Sequence, residues 1–162
     1  MDKATLGALR AFPDLLEAHY AAIPADFAHW TPDSWDGIPS EHLTALEQLC
    51  HVRDIEVEGY QVRFRRTLSE QNPLLVSIDT DAYARERNYG AANAAEVLAE
   101  FRTARQATLR LLDDVQPSQF DRPAAFEGYG PVTFRGLVHY LCSHDQQHLA
   151  GLQWLLGKIA CR

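Results

Sequence analysis

Apolar residues recur at every third or fourth position through four stretches of the chain, the period of an α-helix with one buried face. The clearest stripe is Leu137, Leu141, His144, His148, Leu152, Leu155 and Ile159. It predicts a last helix that starts after Gly130-Pro131-Val132, with Thr133 as cap, and ends between Gly157 and Cys161. A second helix, from about Ala45 to Ser69, is opened by the capping box Thr44-Ala-Leu-Glu47 and stopped by Gln71-Asn72-Pro73. Its stripe is Leu46, Leu49, Val57, Tyr60, Phe64 and Leu68. Asn93-Ala-Ala-Glu96 starts another long helix, carried by Val97, Leu98, Phe101, Ala104, Leu109, Leu111, Leu112 and Val115 as far as Gln116-Pro117. Thr5 to Ile23 is helical in pattern, with Pro13 expected to begin a new turn or a kink.

The long connection from Gln71 to Ala92 suits a crossover between parallel neighbours more than a hairpin. The segment Gln116 to Val132 is long enough to cover one end of a bundle. These elements predict an all-α fold, a four-helix bundle with a long crossover connection, in a single domain over residues 1–162.

Composition narrows the class. With 46% hydrophobic and 23% charged residues, and no apolar run near the roughly 20 residues of a membrane span, the chain reads as globular and not membrane-bound. Met1-Asp-Lys-Ala-Thr-Leu-Gly lacks the layout of a signal peptide, so a cytoplasmic protein is expected. Cys50, Cys142 and Cys161 are odd in number and form no Cys-x-x-Cys, which indicates reduced thiols. A net charge of -7 argues against a nucleic-acid partner, because phosphate binding needs a basic surface.

His144 and His148 are the positions where the last stripe turns polar. At i and i+4 their rings share one face and can reach a single ion. The alternative is a pair of core histidines with hydrogen-bond partners. His144-Asp-Gln-Gln-His148 resembles the zinc-protease word His-Glu-x-x-His, but position 145 is Asp and no Asp, Glu or His follows His148, so the protease site cannot be completed downstream. A further ligand has to come from upstream, from His19, His29, His42, His51, His139 or a carboxylate. His139 lies on another face of its helix and is expected at the surface. His51 stands in the first turns of a capped helix, sharing a face with Ile55, Glu58 and Val62 at the edge of the main stripe.

Thr44-Ala-Leu-Glu-Gln-Leu-Cys-His-Val-Arg-Asp-Ile-Glu56 and Ser143-His-Asp-Gln-Gln-His-Leu-Ala-Gly-Leu152, together with Asp79 to Tyr89 and Tyr129-Gly-Pro-Val-Thr-Phe134, resemble the DinB/YfiT-like metalloenzyme superfamily. The resemblance implies a four-helix bundle with a three-histidine divalent metal site, which maps onto His51, His144 and His148. It also implies thiol-dependent transfer or isomerisation, with mycothiol, bacillithiol or glutathione as co-substrate.

Three imidazoles leave a coordination position open, as catalytic sites do. They suit zinc, nickel, iron and copper alike, with zinc or nickel expected here. Asp54, Glu58 and Asp145 are candidates for orienting an imidazole N–H or for acid-base work. Arg63, Arg65 and Arg66 could meet the carboxylates of a peptide-like thiol, Arg63 and Arg66 being the candidate substrate-binding residues, although such a cluster also complements the helix dipole. The expectation is a metal-dependent thiol S-transferase or isomerase acting on a small electrophile. The alternatives are a non-catalytic stress or detoxification protein that binds a metal or small ligand, and a bundle that simply forms a homodimer.

Overall fold

The computed structural model describes residues 1–162, and its long elements start where the caps predict. Helix α1 spans Lys3–Ala21 and accommodates Pro13 on its buried side. Helix α2 (Ala45–Asp54) opens on the Thr44 and Glu47 capping box and runs without a break into a π-helical turn, Ile55–Tyr60, and then α3 (Gln61–Ser69). A short α4 (Thr80–Glu86), capped by Asp79, lies in the crossover. Helix α5 (Ala94–Asp113) is capped by Asn93, and α6 (Phe134–Ala160) by Thr133. Four rods, α1, the α2–α3 rod, α5 and α6, pack on one another as a bundle.

The chain departs from a purely helical fold at one end. Strand β1 (Leu74–Leu75) pairs in parallel with β2 (Pro123–Phe126), and β2 pairs antiparallel with β3 (Gly130–Thr133), with Ala125 opposite both Leu74 and Pro131. This three-stranded sheet corrects the expectation of loops alone. The strands are two to four residues long, and Pro123 and Pro131 carry no amide for pairing, so alternation is too brief to register in the sequence.

The π turn is the second departure. A π turn inserts about one extra residue into the helix and rotates everything beyond it relative to an unbroken α-helix. From His51 the inward path therefore goes to Ile55, then five residues on to Tyr60, then to Phe64, all buried. Val57, expected in the core stripe, is exposed, as is Val62. Glu58, expected on the His51 face, also turns outward.

The apolar core falls into two clusters. One contains Phe12, Leu16, Leu46, Leu49, Phe101, Leu152 and Leu155, the other Leu9, Ile55, Phe64, Leu112, Phe134, Leu137 and Leu141. Along α5 and α6 the change from one cluster to the other occurs at Arg105 and at the stretch His144 to His148. A polar layer therefore crosses the bundle between two apolar halves. At its centre the Arg105 guanidinium, 1% exposed, forms paired hydrogen bonds with Glu56 (3.0 and 2.9 Å) and Asp145 (2.7 and 2.9 Å) and donates to the Leu9 carbonyl. It ties α5 to the π turn, α6 and α1.

Candidate metal centre

The same layer brings three imidazoles and one carboxylate together. His51 comes from α2, His144 and His148 from α6, and Glu41 from the irregular segment before α2. Their ligand atoms all lie within 4.8 Å of one another. His51 Nε2 is 3.0 Å from His144 Nε2 and 3.6 Å from Glu41 Oε1, and His148 Nε2 is 3.2 Å from Glu41 Oε2. Four donors each about 2.0–2.1 Å from a tetrahedral zinc would stand roughly 3.3 Å apart, and these three spacings, 3.0 to 3.6 Å, match donors around one cation.

The polar accounting agrees. His148 is fully buried, yet neither its Nε2 nor Glu41 Oε2 has a hydrogen-bond partner. A buried lone pair left without a partner is costly in a finished structure, and two converging ones fit a metal ion. The tautomer is set from behind: Gln48 Nε2 donates to the Leu43 carbonyl at 3.3 Å, which turns Gln48 Oε1 to accept from His148 Nδ1 at 3.2 Å. That leaves the Nε2 lone pair facing the centre.

The charge states suit a ligand set. Burial, reinforced by His148, pushes His51 down to about 4, and burial with the charges of His148 and His51 holds His144 well below the ordinary imidazole range. Both rings are thus neutral donors at pH 7. Burial raises Glu41, but the adjoining His148 and His51 imidazoles outweigh it and bring the carboxyl down to about 2. Glu41 is therefore ionised.

These shifts set the pH dependence of the metal-free protein. His51 and His144 bind fewer protons folded than unfolded below pH 6.5. Asp145, pushed up to about 7 mainly by burial despite Arg105, binds more once folded. Two groups oppose one, so the unfolded chain carries the extra proton between about pH 4 and 6.5. Stability should rise with pH across that window, by at most about 1.4 kcal/mol per unit and least near pH 6.5, where the unfolded imidazoles are half deprotonated. Below pH 4.5 the lowered Glu41 acts in the same direction. Urea midpoints measured in chelator at pH 4.5 and 6.5 check this; a lower midpoint at pH 6.5 would refute it.

Close approach of chain segments positions Glu41. A Cβ on Gly151, one turn beyond His148 on α6, would lie 2.3 Å from Ser40 Oγ and 2.7 Å from Gln48 Oε1. A side chain at 151 would crowd Ser40 and Gln48, so glycine favours the close seating of the Ser40–Glu41 segment against α6. Neither Glu41 nor Gln48 was singled out in the sequence: Glu41 lies in a non-periodic segment, and its only signal is its place just ahead of the Thr44 cap. His19, His29 and His42 stay outside the centre. His42 is exposed and stacks on Trp35, and His139 is at the surface as expected, beside Thr5.

The carboxylates considered for support are engaged elsewhere. Asp54 accepts from Arg53, Arg87 and the Tyr89 hydroxyl, and Glu58 from Arg87 and Tyr83, so both clamp the crossover onto the outside of the α2–α3 rod. Asp145 is taken up by Arg105 and makes no hydrogen bond to any imidazole. Gln48 takes the supporting place instead. Arg65 donates to Gln61, and exposed Arg66 pairs with Glu70 and the Leu74 carbonyl.

Beside the centre lies a cavity of about 120 Å³, with Glu41, His51, His144, Tyr60, Arg63 and Tyr129 in its wall. A neighbouring cavity of about 300 Å³, lined in part by Arg66, Asp79 and Tyr83, shares Arg63, Ser77 and Ile78 with it. No helix is long and apolar enough to cross a membrane.

No sequence among curated proteins matches this chain. Among solved structures it is similar to one described as "YfiT from Bacillus subtilis is a probable metal-dependent hydrolase with an unusual four-helix bundle topology". The identity is 19% and the TM-score 0.84, over 99% of this chain and 90% of that one, a likeness that establishes the bundle fold. Residues 8–152, which include all four clustered donors, match the DinB superfamily. By this sequence match over most of its length, the chain belongs to the DinB superfamily.

Proposed function

We propose that this chain is a metal-dependent enzyme whose divalent ion is held by His51, His144, His148 and Glu41, and whose reaction transfers a small-molecule thiol to an electrophile or uses it to isomerise one. The observation that carries the reading is the convergence of four donor atoms within 4.8 Å, two of them buried without partners. A bound zinc or nickel ion supplies Lewis acidity and lowers the pKa of a thiol or water that reaches it.

The protein's own groups divide the remaining work. His51 and His144 stay neutral through burial. Glu41, whose side chain is 35% exposed, is the one carboxylate of the set and the group that can take up a proton there. Cys50 is not the thiol: its Sγ points to the Tyr89 carbonyl, and burial pushes it up to about 11. No cysteine lines the cavity beside the centre, so a thiol nucleophile comes from outside, in keeping with the use of mycothiol, bacillithiol or glutathione that the family resemblance implies.

Hydrolysis is the second reading, favoured by that ionised carboxylate at the centre and by the description of YfiT as a probable metal-dependent hydrolase. One experiment separates the outcomes. Protein loaded with zinc or nickel is assayed with a thiol-electrophile panel and with ester and amide substrates. Thiol consumption abolished in His148→Ala but retained in His139→Ala supports the first reading. Thiol-independent cleavage with the same mutant pattern supports the second. Tight metal binding with neither reaction leaves a metal-binding protein and overturns both.

A further inference from the structure

Two arginines are buried by this fold, and their surroundings are opposite. Arg105 meets two carboxylates. Arg63, 6% exposed, meets none: Nη2 donates to the Val76 carbonyl at 3.3 Å, and its buried Nε has no partner. Its faces are covered by rings, Phe126 at 4.4 Å and Tyr60 at 5.2 Å. Burial without an anion pushes its pKa down, although a guanidinium remains charged at neutral pH. A buried cation with no counter-ion is unfavourable unless something else supplies one.

The surroundings also reserve space for this group. Gly59, in the π turn, is the residue against which Arg63 lies; a Cβ there would come within 3.0 Å of Arg63 Nη1. The same turn that carries His51 inward to Tyr60 brings Arg63 to the cavity wall shared with Glu41, His51 and His144. At about 120 Å³ the cavity has the liquid volume of roughly four waters, room for a head group and a short chain. Arg63 also lines the adjoining cavity of about 300 Å³, so a longer molecule could extend outward past it.

We infer that Arg63 binds a carboxylate of the substrate or co-substrate thiol, anchoring it in this cavity so that its reacting atom reaches the centre formed by His51, His144, His148 and Glu41. The inference rests on the reading of that centre as a metal site. The guanidinium fork matches a carboxylate, whereas a lysine at this place would present only a point charge. The preferred ligands are therefore small acids or carboxylate-bearing thiols, and neutral analogues bind poorly.

Zinc-loaded protein is titrated calorimetrically with 3-mercaptopropionate, 2-mercaptoethanol and propionate, in the wild type and in the Arg63→Gln, Arg63→Lys and Gly59→Ala variants. The wild type should bind the mercapto acid at least about tenfold more tightly than the neutral thiol. Arg63→Gln should erase that preference and weaken propionate by about tenfold or more, with zinc stoichiometry unchanged. Arg63→Lys, which keeps the charge, should fall between, and Gly59→Ala, whose Cβ would lie 3.0 Å from Nη1 and shift the guanidinium slightly, should weaken both carboxylates to a smaller degree while sparing the neutral thiol. If Arg63→Gln does not fold, the last two variants decide. Carboxylates bound equally well by the variants and the wild type overturn the assignment, as does an equal loss for 2-mercaptoethanol. If no thiol binds but propionate still depends on Arg63, the thiol reading fails and the anion site stands.

Discussion

Replacing His148 with alanine should lower affinity for zinc or nickel by about a hundredfold or more. Four-donor zinc sites bind with roughly 10–16 kcal/mol, so one donor is worth about 3 kcal/mol, which is two decades in affinity. His148 is the best placed of the four for this test. It is fully buried, its Nε2 has no other partner, and Gln48 already aims it. His139→Ala, on the exposed face of the same helix, should leave affinity unchanged. Competition against a chromophoric chelator, with elemental analysis of protein made without a histidine tag, measures both. Equal affinity in the two variants would mean that the imidazoles meet for some reason other than an ion.

The largest expected loss of stability lies beside the centre. Arg105→Met retains most of the side-chain volume between Phe12 and Phe101 but leaves Glu56 and Asp145 buried and facing each other without a cation. Breaking a buried ion network in this way costs about 3–5 kcal/mol, a large share of the 5–15 kcal/mol typical of a whole domain. Asp145→Asn should cost much less, because two carboxylates share one guanidinium and the amide removes the surplus charge while keeping an acceptor. Urea unfolding of both variants tests the contrast. If Arg105→Met is as stable as the wild type, the polar layer is held by packing and not by charge. The network bears on the centre as well, since Asp145 neighbours His144 on α6 and Arg105 fixes that helix against α1, α5 and the π turn.

The long helices and their caps were legible because each cap is a local event: Thr44 with Glu47, Asn93 with Ala95 and Glu96, and Thr133 with Gly136 need only three or four residues to form. His144 and His148 were legible for the same reason, as polar interruptions of an apolar stripe. Arg105 carries a comparable signal, four residues after Phe101, but apolar periodicity leads through Ala104 to Leu109, whereas the buried path runs through Arg105 and Thr108 to Leu112. His51 was different: periodicity put it at an edge, and family resemblance assigned it a role.

By itself the amino-acid order determined where helices begin and end, that a bundle forms, and that one helix turns two imidazoles inward, because these follow from contacts within a few residues. Tertiary structure decided the rest. Glu41 joins the centre where Gly151 lets a non-periodic segment seat on α6, Gln48 joins it where α2 packs against the same glycine, and Arg63 reaches the cavity wall beyond the π turn of the helix that carries it. Such placements depend on atoms about a hundred residues apart along the chain coming within bonding distance, and no local pattern records that.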